Sequence, residues 1–117
     1  MEVEFFIDKL VDELDYNSGE HQYVEIKTYL EKIADAPPIF RLRIFAEPKG
    51  FLRMILGRWA LLDARVERLG DGKYSIKLKD LNELFDRGIR DIKELNKRCE
   101  RLIMKLADLA REKEDKR

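Results

Sequence analysis

The chain has 117 residues, 44% apolar and 41% charged, with 24 basic and 24 acidic side chains and a formal net charge of zero. This is the size of one domain with one modest core, and the apolar content excludes a wholly disordered chain. No apolar run approaches the ~20 residues that span a bilayer, and the single cysteine, Cys99, excludes an internal disulfide.

The opening MEVEFFIDKL carries acid where a signal peptide carries basic residues. A reducing, cytoplasmic setting without membrane contact is expected. Gln22, Asn17, Asn82, Asn96, Ser18, Ser75 and Thr28 are the whole stock of side-chain amides and aliphatic hydroxyls. Many Lys, Glu and Arg with few amides is the composition of proteins from very hot organisms, so a thermophile source is expected.

Charge is segregated along the chain. Residues 1–36 hold three basic and ten acidic side chains, 37–79 ten basic and four acidic, and 80–117 eleven and ten. A basic middle third points to an anionic partner, or to packing beside the acidic N-terminal third.

In VEFFIDKLVDEL, Val3, Phe6, Ile7, Leu10, Val11 and Leu14 recur in steps of three and four, which predicts a helix. DYNSG breaks it. Ser18 is a fair N-cap for a second helix carrying Tyr23, Ile26, Leu30, Ile33 and Ala34 on one stripe, and Pro37-Pro38 ends it.

Residues 39–69 fit two periods. At period two, Phe40, Leu42, Ile44 and Ala46 share a strand face, EPKG turns, and strands follow at 51–56 and 60–69. With 73–79 these make a four-stranded antiparallel meander. At period 3.6, 39–46 is a short helix and 51–64 a second one, with Leu52, Ile55, Leu56, Trp59 and Leu62 on one face. Composition leans 51–64 toward helix and leaves 39–46 undecided. ERLGDGKYSIKL, at 67–78, predicts a tight hairpin on Gly-Asp-Gly.

Asp80 and Glu83 form a capping box. Leu81, Phe85, Gly88, Ile92, Leu95, Cys99, Leu102, Leu106 and Leu109 then alternate steps of four and three across four heptads. A helix of about 30 residues is ~45 Å long. Its far half is expected to pack on another chain or on the N-terminal helices. The expected organisation is one globular domain over 1–79, with its hairpin at 64–79, and a long C-terminal helix over 80–117. The tail REKEDKR is expected to fray.

Signals for catalysis are poor. His21 is the only histidine and lies in a polar stretch, one Cys and one His make no zinc cluster, and GDG lacks the Lys-Ser/Thr of a phosphate loop. Cys99 on the seam reads as a small buried apolar residue. Neither enzymatic activity nor a metal or cofactor is expected.

LLDARVERLGDGKYSIKL resembles the end of winged helix-turn-helix DNA-binding domains. Leu61, Leu62, Ala64, Val66, Leu69, Gly70, Asp71, Gly72, Tyr74 and Ile76 carry the resemblance, which extends over roughly residues 20–79. It implies a mostly helical α+β fold, with 39–46 as supporting helix, EPKG as turn, 51–64 as recognition helix and 64–79 as a β-hairpin wing. It also implies that Arg53 and Arg58 reach phosphates or guanine edges, with Gly50 and Gly57 allowing close approach. Arg65, Arg68 and Lys73 would flank the wing, joined by Arg41, Arg43 and Lys49.

The first functional expectation is a small DNA-binding transcriptional regulator on double-stranded DNA. It would be a homodimer through Leu81, Phe85, Ile92, Leu95, Cys99, Leu102, Leu106 and Leu109. The second is a non-enzymatic assembly or adaptor protein with two N-terminal helices, the meander at 39–79 and the long helix, binding a protein partner. The state of residues 39–62 separates the two.

Overall fold

The computed structural model describes residues 1–115. The chain opens as strand β1 (Glu2–Phe6), then α1 (Ile7–Asn17), β2 (Val24–Asp35), β3 (Pro38–Pro48), α2 (Leu52–Leu56), β4 (Trp59–Gly70) and β5 (Lys73–Lys77). One helical rod completes it: α3 (Leu78–Glu83), a π-helical turn at Leu84–Gly88, and α4 (Ile89–Asp115). The five strands form a single antiparallel sheet in the order β1-β5-β4-β3-β2.

This α+β fold overturns the winged-helix expectation. The expected supporting helix, 39–46, lies inside β3, and the expected recognition helix, 51–64, is the single turn of α2, two linking residues and half of β4. Gly57 explains the break. It stands at φ +70°, ψ −167°, a backbone state that L side chains rarely adopt, so α2 stops and the chain turns into a strand. Of the alternative four-stranded meander three strands stand, 51–56 being mostly helical.

Neither N-terminal helix forms as expected. The first begins at Ile7 rather than Val3, because residues 2–6 pair with β5. The second is β2. Val24, Ile26, Thr28 and Leu30 alternate with Glu25, Lys27, Tyr29 and Glu31, and they match Pro48, Ala46, Ile44 and Leu42 of β3 in register. Helical and strand periods both fit this stretch, and the non-local pairing decides between them.

The hairpin at 67–78 forms as expected, with Gly70 opposite Lys73. The rod starts two residues before the expected capping box. Its N-cap, Lys77, makes no side-chain cap hydrogen bond, and the Leu78 N–H donates to the Met1 carbonyl at 2.9 Å instead.

The core lies between one sheet face and the helices. Leu42, Ile44 and Ala46 of β3, Ala64 and Val66 of β4, and Tyr74 and Ile76 of β5 are buried against Leu10 and Leu14 of α1 and Leu84, Ile92, Leu95 and Cys99 of the rod. Each large apolar side chain buried this way contributes about 1.5–3 kcal/mol. Gly88 lets the rod approach β4: a Cβ there would meet Leu61 Cβ at 3.7 Å and Leu84 Cδ1 at 3.1 Å.

The seam of the rod thus divides. Leu81 and Phe85 are half-buried in the core of their own chain, Ile92, Leu95 and Cys99 fully buried there, and Leu102 half-buried at its margin. Leu106 and Leu109 are 40% and 51% exposed. Asn96 accepts from the Tyr23 N–H at the start of β2, and Arg98 lies over Trp59, the first residue of β4. Leu102 and Ile103 are the last residues of the helix that pack on this core, and the remaining turns run on for about 18 Å at 1.5 Å per residue. The molecule measures 68 × 24 × 19 Å.

Strand order also redistributes charge. β1 carries two acids and no base, and β2 three acids and two bases. The three central strands together carry six bases and three acids. The acidic N-terminal third therefore supplies both edges, and the basic island the middle.

Candidate nucleic-acid interface

Among the described residues no long helix covers the other sheet face, where Lys27, Arg41, Asp63 and Arg65 are exposed. Alternation along β2 and β3 brings Tyr29, Arg43, Phe45 and Glu47 onto this face. Tyr29 lies opposite Arg43, and its ring meets Phe45 edge-on at 5.7 Å.

Arg53 and Arg58, from beyond β3, join Arg43 to complete the cluster. After Gly57 turns the chain, the Arg58 guanidinium lies 4.0 Å from the Phe45 ring centroid and 5.7 Å from that of Tyr29. Arg43 lies 6.0 Å from the Tyr29 centroid, and its Nε is buried without a hydrogen-bond partner among the described residues. Guanidinium groups over aromatic faces are held by the ring quadrupole.

Glu47 anchors the group. Its carboxylate is 3% exposed, accepts the Tyr29 hydroxyl at 2.9 Å and meets Arg53 Nη1 at 3.3 Å. A buried carboxylate is tolerable only with such partners. Three guanidinium groups therefore surround two aromatic rings and one carboxylate.

The other expected contacts scatter. Arg41 makes a bidentate pair with Asp63 at 2.9 and 2.6 Å on the same face, beside Arg65. Hydrogen bonding to Arg41 holds the Asp63 carboxyl below its usual 3.8 and, reciprocally, raises Arg41. Arg68 turns to Asp71 at 2.8 Å in the hairpin tip, and Lys73 pairs with Glu4 at 3.0 Å by the β1 edge. Lys49 is exposed in the loop after β3, its backbone N–H donating to the Tyr23 carbonyl.

Tyr29, Phe45 and Glu47 escaped the sequence reading. A helical assignment of 18–35 hides Tyr29, and the signal that finds it is the period-two alternation from Val24 to Glu31.

Elsewhere, charged groups close on one another. A cleft of about 320 Å³ beside the rod is lined by Asp63, Asp80, Glu83 and Arg87 among others. Arg87 fills its polar side, reaching Glu83 at 3.3 Å, Asp91 at 3.2 Å and the Leu61 carbonyl at 3.1 Å. His21 is not a loose surface residue. Its side chain is 11% exposed, with Nε2 2.7 Å from Asp15 and Nδ1 3.0 Å from the Val24 carbonyl, tying the end of α1 to β2. The Cys99 thiol is fully buried, and burial raises its pKa. Among the described residues no three His, Cys, Asp or Glu gather as a metal site, and no helix is long and apolar enough to cross a membrane.

No protein-family model, no curated protein and no solved structure matches the chain.

Proposed function

We propose that this chain is a non-enzymatic nucleic-acid-binding protein that takes a single strand on its open sheet face. The observation that carries the reading is the convergence of Arg43 and Arg58 on Tyr29 and Phe45, with Arg53 held beside them on Glu47, where no long helix intervenes among the described residues. Unpaired bases stack on aromatic rings and on guanidinium planes, while arginines hold the phosphates between them. A flat sheet face has no helix to insert into a major groove, which favours single strands over the duplex expected from sequence. Arg41 and Arg65, one strand apart on the same face, extend the basic track.

The test is fluorescence anisotropy with a labelled oligothymidylate and an oligouridylate. Binding is expected at ~50 mM salt and is expected to weaken steeply by ~200 mM. Replacing Arg43 and Arg58 together by alanine is expected to cost ~10-fold or more and to lower the salt slope by about 1–2. Tyr29→Phe keeps the ring and retains binding, whereas Tyr29→Ala weakens it. Absence of binding at low salt, or a double variant that binds like the parent, rejects the proposal.

A further inference from the structure

We infer that the projecting end of α4 is the contact of a homodimer in which two copies pair antiparallel. This inference stands apart from the nucleic-acid reading.

Beyond the sheet, the heptad seam continues as Leu102, Leu106, Leu109 and Lys113. Leu106 and Leu109 are 40% and 51% exposed there, and neither joins the core of its own chain among the described residues. A regular apolar seam on a helix end that has left its domain calls for another helix.

The flanking residues choose the partner and its direction. In two antiparallel helices, a position on one faces d on the other, g faces g, and e faces e. Setting Leu106 against the partner's Leu109 fixes the register, and the two-fold axis repeats it. That register sets Leu102 against the aliphatic stem of the partner's Lys113. On one flank Ile103, half-buried against its own core, presents its remaining surface to the partner's Ala110. On the other Lys105 faces the partner's Glu112, so two opposite-charge pairs close the contact. A parallel pair is poorer on every count: Lys113 would meet its own copy within the seam, and Lys105 would face the partner's Ala110. Self-complementarity of this kind identifies the partner as a second copy of this chain. The contact is short, which places it at the weak end of specific interfaces.

Sedimentation of the full chain from ~10 μM to ~1 mM is expected to pass from one chain to two. Leu106→Glu with Leu109→Glu is expected to hold it at one, with the far-UV spectrum showing that these exposed substitutions leave the fold intact. Lys105→Glu is expected to weaken association ~10-fold by placing like charges across the axis, and adding Glu112→Lys is expected to restore it to within ~3-fold of the parent. For polarity, Leu106→Cys and Leu109→Cys are made separately with Cys99 replaced by alanine. Antiparallel pairing predicts disulfide-linked dimers on mixing the two, and little from either alone. A single chain at every concentration, a dimer that survives the two glutamates, no rescue by the charge swap, or efficient crosslinking of Leu106→Cys by itself would each overturn the inference.

Discussion

Glu47 shows how one buried charge can organise a surface. Its carboxylate has two partners, the Tyr29 hydroxyl and Arg53. Glu47→Ala leaves that hydroxyl without its acceptor and removes the anchor, and is expected to cost about 1–3 kcal/mol. Tyr29→Phe removes one hydrogen bond and is expected to cost about 1 kcal/mol. Urea unfolding of both variants checks the order, and equal costs would contradict the anchoring role. Asp63 gives a second prediction at this scale. Its carboxyl is held below 3.8 by hydrogen bonding to Arg41. A depressed folded-state value means that the pair stabilises the fold above about 3.8 and loses its effect as pH falls through the folded value. Both side chains are nearly half exposed, so the effect is small. Asp63→Asn is expected to melt slightly lower than the parent from pH 5 to 8, with the two converging below pH 3.8. A gap that widens in acid would reverse the sign and refute the pairing.

Among the elements, the π-helical turn is where the rod comes nearest to β4, and Gly88 is the residue that allows it. Alanine in place of helical glycine gains about 1 kcal/mol in propensity. Here the added Cβ would stand 3.1 Å from a buried leucine methyl that must give way. The two effects oppose each other, so Gly88→Ala is expected to lie within about 1 kcal/mol of the parent. Gly88→Leu overpacks the junction and is expected to destabilise by about 1–3 kcal/mol. Thermal unfolding of both variants measures this, and a tolerated leucine would show that the approach is loose. The same scale shows what could be read in advance. The hairpin at 67–78 and the helix beyond Asp80 are local signals, a glycine turn and a four-three repeat, and both were legible. β1 and β2 were not, because each is defined by a distant partner: Glu2 pairs with Lys77, and Val24 with Pro48. Their apolar residues also fall in steps of three and four, so the helical period competes until the sheet exists. Gly57 stood in plain view between two helix-leaning runs, but its role as a stop became visible only through its backbone angles. Arg43, Arg53 and Arg58 were singled out from the chain. Of the residues that hold them in place, Tyr29 was hidden by the misassigned helix over 18–35, Phe45 by the undecided period of 39–46, and Glu47 by the reading of EPKG as a turn.

At the scale of the molecule, the four-heptad seam proves to be two surfaces in one pattern. Its first half buries Ile92, Leu95 and Cys99 in the chain's own core, and its last turns carry Leu106 and Leu109 into solvent. A repeat read from sequence marks a stripe, and the three-dimensional end of the sheet determines where the chain's own core stops covering it. The charge segregation follows the same logic. A linear tally shows an acidic third, a basic third and a neutral one, whereas the sheet interleaves them by placing β1 and β2 outside β3, β4 and β5. The open face thereby becomes a basic band between two acidic margins.

Those margins decide how the molecule meets its neighbours. Unpaired strand edges invite a further strand, and like charge on both edges discourages it. A chain carrying Glu2 and Glu4 on one border, and Glu25, Glu31 and Asp35 against Lys27 and Lys32 on the other, presents a net acidic edge on either flank. Lateral growth into ribbons is therefore disfavoured even at the high concentrations at which the proposed end-to-end contact would fill, and a single strand bound as proposed would run between these borders, along the central strands rather than across them.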